Sequence, residues 1–505
     1  MASTETRWAE LMVETRAAQR LTEVAAVLTW DQQTYLPPDG GAVRAEQLAA
    51  VSALQHARFA SPRVGELLDD LAGRPDLDPD RAAGLANLRR DWHRAVAVPA
   101  ELVERTARLT GLAQQAWLEA RQLRSFDRFA PLLAEVVDAT RERAAAIDAS
   151  RPPYDVLLEE FEPGATAAGV SATFARLRAG LEQLLDAIRG VAPMPPLTGS
   201  WSVEQQRPLS DDLADALGYD RRAGRIDLAV HPFTTSLGRR DVRITTRVDP
   251  NDLSMMLGGT IHELGHALYE QGLPDADGSG LASAASMGLH ESQSRFWENT
   301  IGRSLPFCRW FEGPLKRRLG AGAPDAETLY RASNRVVAGS NRVMADEVTY
   351  NLHVIVRFEL EQALIAGELA VRDLREAWNA AYRAALGVDP VDDVDGVLQD
   401  IHWSGGAFGY FPTYTLGNLY AAALGRAVAT DLPDLWPLVE RGEFAPILGW
   451  LRERVHHVGR RHTSAEIVRR ATNTGASDVD PTDLAVDALL DYLWQRHGAL
   501  HGVSR

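Results

Sequence analysis

The sequence predicts a mostly α-helical protein that carries one small β-sheet. Over long stretches apolar residues recur at spacings of three and four, with charges on the opposite face of each predicted helix. Ala, Leu, Arg and Glu, which favour helices, fill the same stretches. The clear strand signal is confined to 225–248, where apolar and polar residues alternate. We therefore expect a helical fold with two or three short strands beside a functional site.

The predicted elements follow in order along the chain. Helical spacing covers 8–12, 21–28, 48–54, 109–123, 129–147 and 167–188. Clusters of Pro and Gly interrupt the pattern at 37–41, 151–153, 193–199 and 320–324. In the strand region Ile226 and Leu228 alternate with polar neighbours, and Val242 and Ile244 flank Arg243. These pairs predict the strands of the small sheet.

Composition excludes several classes of function. The chain has 505 residues, of which 45% are hydrophobic and 24% charged, as in an ordinary globular protein with a large core. Its formal net charge of −16 disfavours a nucleic-acid groove, which needs a basic surface, and docking on an anionic membrane. We expect neither nucleic acid nor membrane as a partner.

Cysteine content and the N-terminal sequence indicate a reducing compartment. Cys308 is the single cysteine, so no intramolecular disulfide and no thiolate metal cage can form. Charges at close intervals in 1–21 leave no apolar centre for a signal peptide, and no apolar run could cross a bilayer. The expected location is the cytoplasm.

The segment 260–270 has the pattern of a zinc-binding helix. His262 and His266 are four residues apart, so both imidazoles project from one face of a helix and can meet one ion at about 2 Å. Glu263 lies beside them, where it can take a proton from an activated water. Composition alone would produce roughly 0.05 such matches in this chain. The alternative is an amphipathic helix whose histidines are merely solvated.

Flanking residues predict where this helix begins and ends. Asp249 is the expected N-cap with Pro250 just inside the helix, and Gly272 with Pro274 should stop it.

A catalytic zinc site needs a third protein ligand. No histidine follows soon after His266, as the longer metzincin pattern requires, so we expect a carboxylate. Glu291 lies in a helix predicted over 281–297, and the intervening chain is long enough to return to the metal. Glu270 and Glu298 compete for this role, although Glu270 shares the helix of the histidines and better suits an outer partner.

Further clusters make the chain resemble the thermostable carboxypeptidase Taq family, peptidase family M32, over almost its whole length. The matching segments, besides the zinc helix, are His231-Pro232-Phe233, 241–245, 290–293, 396–403, 409–418, Trp30-Asp31-Gln32 and 154–164. An aliphatic-Arg-x-x-Ala-Asp signature is met at 341–346, with Asn341 in place of the usual Ile or Val.

The resemblance implies a mostly helical, deep-cleft Glu-zincin fold. We expect a single catalytic domain over 1–505, whose N-terminal helices, about 1–200, cap the cleft. It also implies a homodimer that uses zinc, or cobalt in its place. The implied activity is release of C-terminal residues from peptide substrates, with broad preference and poor release of proline. By position, the metal ligands are His262, His266 and Glu291, and Glu263 is the general base.

Oxyanion donors other than the metal are expected in the last cluster. His402 and Tyr410 are the first candidates and Tyr414 is a third. The alternative is a packed aromatic turn without a catalytic role.

A carboxypeptidase must also bind the terminal carboxylate, for which Arg is suited. Arg342 is the first candidate and Arg243 the second, although Arg342 could instead form an ion pair with Asp346 on one helix. His231 and Asp241 flank the predicted strands and could bind substrate or orient ligands.

Two other functions remain open from the sequence. One is an endopeptidase or oligopeptidase on the same zinc scaffold. The other is a helical metal-binding protein without catalysis, which Glu263 disfavours because a structural site needs no base.

Overall fold

Helices dominate the computed structural model, which describes residues 3–472 and 481–505. Within these ranges the strands form one three-stranded sheet. The predicted class, mostly α with a small sheet, is confirmed. None of the described helices combines the length and the apolar run that a bilayer crossing requires.

From residue 3 onward, the first part of the described chain contains nine helices. They are α1 (Thr4–Thr34), α2 (Gly41–Phe59), α3 (Pro62–Ala72), α4 (Pro79–Ala97), α5 (Ala100–Leu123), α6 (Ala130–Asp148), α7 (Pro153–Phe161), α8 (Ala167–Ile188) and α9 (Val203–Leu217). Short 3-10 helices at Pro38–Gly40 and Phe126–Arg128 lie in the connections. The helices predicted over 109–123, 129–147 and 167–188 correspond to α5, α6 and α8.

The N-terminal helices α1, α3 and α4 bury an apolar cluster of their own. Trp8 and Leu11 of α1 pack there with Leu68 of α3 and Leu88 of α4, apart from the main core. Helix α1 also reaches the sheet, because the ring of Trp30 contacts two of its guanidinium groups. The ring centroid of Trp30 lies 5.4 Å from the guanidinium carbon of Arg225 and 4.4 Å from the guanidinium carbon of Arg243.

The sheet has the order β1-β3-β2, with β1 (Ile226–Leu228) parallel and β2 (Thr234–Ser236) antiparallel to β3 (Val242–Thr246). Ile244 of β3 pairs with Ile226 on one side and with Thr234 on the other. Val242 and Ile244 are fully buried, as their predicted inward positions require. The sheet packs on the helix that follows it, which carries the two histidines.

That helix, α10 (Leu253–Glu270), crosses α11 (Met287–Arg295) at very short range. A Cβ atom on Gly265 would lie 2.6 Å from both the carbonyl oxygen of Gln293 and the Cα of Ser294, so only glycine fits. Leu264, Leu268 and Leu289 are fully buried around this crossing. The chain continues from α11 into a π-helical segment, Phe296–Gly302, of the kind often found at functional sites.

The predicted start of the zinc helix was wrong by three residues. Asp252, rather than Asp249, caps α10 by accepting the backbone N–H of Ser254. Asp249 instead accepts the N–H of Asn251 in a turn, and the carbonyl of Pro250 accepts the N–H of Trp201. Local sequence could not reveal this long-range bond.

The helix predicted over 281–297 was also wrong at both ends. Ser286 caps α11 through its hydroxyl, so 281–286 lies outside the helix. The carbonyl of Leu281 accepts the N–H of Arg460 instead of a helical donor. Beyond Arg295 the backbone is π-helical.

Ten further helices lie in the rest of the described residues, up to 472 and from 481 to 505. They are α12 (Leu305–Leu319), α13 (Ala326–Ser333), α14 (Tyr350–Ala366), α15 (Leu374–Leu386), α16 (Pro412–Asp431), α17 (Leu435–Arg441), α18 (Ala445–Arg454), α19 (Ser464–Ala471), α20 (Pro481–Leu493) and α21 (Ala499–His501). The shorter elements are 3-10 helices at Gly320–Gly322, Val371–Asp373, His402–Gly405 and His456–Val458, and a π-helix at Trp494–Gly498. Helix α16 packs on α11, α14 and α20, which places its start near the histidines.

Candidate metal centre

Helices α10 and α11 bring two histidines and one carboxylate together. The Nε2 atoms of His262 and His266 lie 3.7 and 3.4 Å from the same Oε2 atom of Glu291. Ligand atoms about 2.0–2.1 Å from a tetrahedral ion stand roughly 3.3 Å apart. These three residues, called here the metal cluster, could therefore hold one divalent ion.

Each histidine of the metal cluster uses its far nitrogen for a hydrogen bond to another side chain. His262 donates from Nδ1 to Oε2 of Glu298 at 2.9 Å. His290 donates from Nε2 to Glu270 at 2.9 Å, so its Nδ1 accepts from Nδ1 of His266 at 2.6 Å. Both cluster histidines therefore present an unprotonated Nε2 toward Glu291. This is the tautomer that a metal requires.

The same contacts show which of the three carboxylates named as candidate third ligands lies beside both histidines. Glu291 lies in the metal cluster, whereas Glu298 binds His262 from behind and Glu270 binds His290, which contacts His266. The donor set of two imidazole nitrogens and one carboxylate oxygen fits a catalytic zinc site, which keeps a fourth position for water or substrate.

Neighbouring positive charge keeps Glu291 and Glu298 ionised. Burial is the largest single effect on each and opposes ionisation, but Arg295 together with the neighbouring histidines, and with Arg303 at Glu298, lowers the pKa of both well below the usual range. Arg295 donates to Glu291 at 2.7 Å and to Glu298 at 3.2 Å, and Arg303 donates to Glu298 at 2.7 Å. Ionised carboxylates are the form that binds cations.

The two histidines differ in their titration. Burial and the neighbouring His290 lower the pKa of His266 to about 3, so its ring is neutral near pH 7. Burial also disfavours the charged form of His262, but Glu291 and Glu298 raise its pKa overall. Those carboxylates increase the basicity of the imidazole, which strengthens it as a ligand.

Glu263 is held beside the metal cluster by the edge strand of the sheet. Thr234 in β2 donates its hydroxyl to Oε2 of Glu263 at 2.7 Å. Glu263 is 7% exposed, and burial raises its pKa against the opposing effects of His262 and Thr234. A carboxylate with a raised pKa suits proton transfer near neutral pH.

A second group of polar rings adjoins the metal cluster. It consists of Tyr350, His402, Tyr410 and Tyr414, called here the aromatic cluster. Ring centroids of Tyr410 and Tyr414 lie 5.3 Å apart, and Tyr414 OH lies 3.2 Å from Nε2 of His402. Arg295, which binds Glu291, also lies 4.5 Å from the ring centroid of Tyr350. The two clusters therefore share one guanidinium group.

His402 and Tyr410 of the aromatic cluster are neutral near pH 7. Burial, with the nearby Arg342, lowers the pKa of His402 to about 4. Burial and the charge of Glu291 raise the pKa of Tyr410 to about 12. Tyr410 therefore keeps its proton and can act as a hydrogen-bond donor.

Arg342 lies against the aromatic cluster but is bound to Asp400. Its Nη2 donates to Oδ1 of Asp400 at 2.6 Å and its Nη1 to the hydroxyl of Tyr350 at 3.2 Å. Arg357 donates to the other oxygen of Asp400 at 2.7 Å. The alternative to binding the terminal carboxylate, an ion pair of Arg342 with Asp346 on one helix, is wrong. The segment is not helical, and Asp346 accepts backbone N–H groups of its own segment instead.

The other sequence candidates lie on the sheet. Arg243 makes two hydrogen bonds to Asp241, at 2.7 and 2.8 Å, besides its contact with Trp30. His231 is exposed in the connection between β1 and β2. Among the described residues no hydrogen bond joins His231, Asp241 or Arg243 to the metal cluster.

Sequence reasoning missed several residues that hold this site together. Arg295 stands four residues after Glu291, so its helical spacing was a usable signal. Glu298 was a candidate ligand, but its hydrogen bond to His262 was not foreseen. Thr234 and Asp400 offered no such signal, because their partners lie 29 and 58 residues away.

Comparison with known proteins gives one family across the chain. Residues 10–494 match the family model described as carboxypeptidase Taq (M32) metallopeptidase. The chain is 42% identical to thermostable carboxypeptidase 1 of Thermus thermophilus, over 99% of both chains. It is 37% identical to carboxypeptidase 1 of Bacillus subtilis, over 95% of both.

The fold of the chain is similar to that of a solved structure over nearly its whole length. The M32 carboxypeptidase of Deinococcus radiodurans superposes with a TM-score of 0.94 at 40% identity, covering 99% of this chain and 100% of that one.

Proposed function

The chain belongs to the carboxypeptidase Taq (M32) metallopeptidase family and is a carboxypeptidase, and on that premise we propose that His262, His266 and Glu291 bind its metal. The observation that supports this proposal is the convergence of their three ligand atoms, with both histidines in the required tautomer. Neither a non-catalytic metal-binding protein nor an endopeptidase is favoured beside it.

A divalent ion bound there would activate a water and polarise the scissile carbonyl. Glu263 is the general base in this proposal. It takes the proton of the attacking water and delivers it to the leaving amine. The hydrogen bond from Thr234 supports the role because it orients the carboxylate, and burial supports it because it raises the pKa of Glu263.

Tyr410 and His402 are proposed as donors to the oxyanion of the tetrahedral intermediate, with Tyr414 orienting His402. Neutral donors next to a carboxylate-rich metal cluster stabilise a developing negative charge without adding to the ground-state charge. The proximity of the aromatic cluster to Glu291, through Arg295, supports this assignment.

Arg342 is proposed to attract the C-terminal carboxylate of the substrate. Two guanidinium groups, those of Arg342 and Arg357, share the single carboxylate of Asp400 and leave one positive charge in excess. Arg243 is balanced one to one by Asp241. A surplus of buried positive charge favours an anionic ligand beside Arg342 rather than beside Arg243.

Further properties of the proposal rest on family membership alone. They are the use of zinc, with cobalt as a substitute, broad side-chain preference, poor release of C-terminal proline and a homodimer. A cytoplasmic location is proposed from the sequence instead. We also propose one catalytic domain over 1–505, in which the helices of about 1–200 cap the cleft. The separate apolar core of α1, α3 and α4, and the contact of Trp30 with the sheet, support such a cap.

The experiment that tests this function compares one N-acetylated peptide as free acid and as C-terminal amide. Mass spectrometry should show the acid shortening from its C-terminal end, and a chelator should stop the reaction. The amide should be cut about 10- to 150-fold less efficiently, because it cannot form the charge-assisted hydrogen bond that the free carboxylate makes.

Two arginine variants identify the group that binds the carboxylate. Arg342→Ala should bring the acid-to-amide ratio close to one, while Arg243→Ala should leave it unchanged. The reverse pattern would transfer the role to Arg243. Equal cleavage of acid and amide by the unmodified enzyme would refute carboxylate recognition altogether.

A further inference from the structure

Glu361 is a buried carboxylate at the back of the aromatic cluster. It lies in α14 and is fully buried. Among the described residues no Lys, Arg or His comes within ion-pair distance of it. An ionised side chain that is buried without a cationic partner destabilises the folded protein, so we expect this carboxylate to have a role.

Its two oxygens hold both ends of the loop that carries the proposed donors. Oε1 accepts the indole N–H of Trp403 at 2.8 Å, and Oε2 accepts the backbone N–H of Gly409 at 3.1 Å. Trp403 directly follows His402, and Gly409 directly precedes Tyr410. One carboxylate therefore binds the neighbour of each proposed donor.

The other contacts of the loop leave it little freedom. Gly409 has a φ of +87°, and a Cβ there would lie 2.9 Å from the backbone nitrogen of Leu158 in α7. Phe161 of α7 packs edge-on against Tyr410, with ring centroids 5.1 Å apart. Tyr154, also of α7, donates its hydroxyl to Glu361 at 2.7 Å. Helix α7 and Glu361 thus form one rigid support for the loop.

The chemistry of the side chain explains why an acid stands here. Three donors converge on it, and an ionised carboxylate accepts at both oxygens. A glutamine would accept at one oxygen and set its N–H₂ group against a facing N–H. The acid is the residue that holds both loop ends at once.

We propose that Glu361 is a positioning residue that sets His402 and Tyr410 at the distance the oxyanion requires. The inference rests on the donor roles given to these two residues under the proposed function. A misplacement of about 1 Å at a reacting centre can cost on the order of 10²-fold in rate. The support acts through the loop, and Glu361 itself touches no reacting atom.

The decisive variant is Glu361→Gln, measured as the metal-loaded enzyme. We expect kcat to fall by about 10- to 100-fold with KM changed by less than about 3-fold, since the misplaced donors act only on the transition state. Zinc affinity, measured by competition with a chromophoric chelator, should equal that of the unmodified protein. A merely structural role would lower the melting temperature without this split between kcat and KM.

A double-mutant cycle ties the effect to the donor. In a background that carries both Tyr410→Phe and His402→Gln, Glu361→Gln should cost less than about 3-fold more, because both donors it positions have been removed. Full multiplication of the two losses would overturn the proposal, as would near-normal kcat in folded Glu361→Gln. Normal kcat in both Tyr410→Phe and His402→Gln would refute the donor roles themselves, and the inference with them.

A second pair of variants covers the case in which Glu361→Gln does not fold. Trp403→Phe removes the bond to Oε1, whereas Trp378→Phe trims a neighbouring indole of the same packing cluster, 5.9 Å away, that makes no hydrogen bond. Both truncations should lower the melting temperature. Only Trp403→Phe should lower kcat, and equal kcat in the two variants would overturn the proposal.

Discussion

The metal cluster and the aromatic cluster adjoin each other but are assembled in different ways. The metal cluster comes from two consecutive helices that cross within 30 residues of sequence, and each ligand has a charged or histidine partner behind it. The aromatic cluster comes from α14, the loop 402–411 and α16, and its supports lie in α7 and in Asp400. One cluster is local in sequence and rich in charge, while the other is long-range and neutral.

This difference assigns separate tasks to the two clusters. Charged ligands and charged outer partners set the affinity for a cation. Neutral donors on a tightly held loop set the stabilisation of a transition state. Variants in the first region should therefore change metal binding, and variants in the second should change kcat alone.

The largest effect is expected from loss of a ligand. Glu291→Gln removes the one anionic ligand and leaves Arg295 without its main partner, so metal affinity and activity should fall together. Chelation of the unmodified enzyme should abolish turnover, and zinc or cobalt should restore it. Metal content by atomic absorption, measured beside turnover, checks both. Full activity in exhaustively metal-free protein would refute the metal cluster.

Removal of the base should come next and should separate binding from chemistry. Glu263→Gln should keep the metal, since Glu263 is not a ligand, yet lower kcat by at least about 10²-fold. Thr234→Val, which removes only the orienting hydroxyl, should have a smaller effect in the same direction. A Glu263→Gln enzyme with near-normal turnover would contradict the assigned role.

A smaller effect is expected behind the ligands. Glu298→Gln weakens the partner of His262 Nδ1, and metal affinity should fall by about 10- to 100-fold. At saturating metal, kcat should recover to within about 3-fold of normal. Incomplete recovery of kcat would mean that Glu298 acts on the reaction as well. It would contradict the division into one cluster that sets metal affinity and another that sets kcat.

The smallest effect concerns the pH dependence of stability at the two supports. Burial raises the pKa of Glu361 to about 7, and likewise that of Glu162, which binds the backbone N–H of Gly288 in α11. A carboxyl with a raised folded pKa binds its proton more tightly when folded. Its contribution to the stability of the folded protein is therefore complete below the ordinary pKa of about 4.5 and is lost as pH rises through about 7.

For each carboxyl we compare the free energy of unfolding of the unmodified protein with that of its Gln variant. The advantage of the unmodified protein should fall by up to about 3 kcal/mol from pH 5 to pH 7.5. Urea unfolding of metal-free protein at both pH values measures it. Asp91→Asn is the matched control. Although burial opposes it, Arg460 and Arg90 lower the pKa of Asp91 below its usual value, so its contribution is constant over this range. A pH-independent difference for Glu361→Gln would contradict the raised pKa.

The same contrast explains what the sequence could predict. Helical spacing was sufficient to bring His262 and His266 together, because positions four apart share a face whatever the rest of the fold does. Alternation was likewise sufficient for the strands. The boundaries of α10 and α11 could not be predicted, since Trp201 and Arg460 bind backbone groups that helices would otherwise use.

Long-range pairs lay beyond sequence reasoning for the same physical reason. The donors to Glu361 stand 207, 42 and 48 residues away, and no periodicity connects such positions. Arg342 was identified as a candidate, yet its real partner, Asp400, was not. The aromatic donors were predicted from a family resemblance and not from spacing.

The crossing at Gly265 has a consequence for anyone who would transplant this metal centre into a designed protein. The distance from the histidine helix to the carboxylate helix is set by backbone against backbone, since a methyl group at Gly265 would overlap Gln293 and Ser294. Copying the three ligands and the base onto an ordinary helix pair would place the axes too far apart for one ion. The smallest portable unit must therefore include the glycine, although it binds nothing.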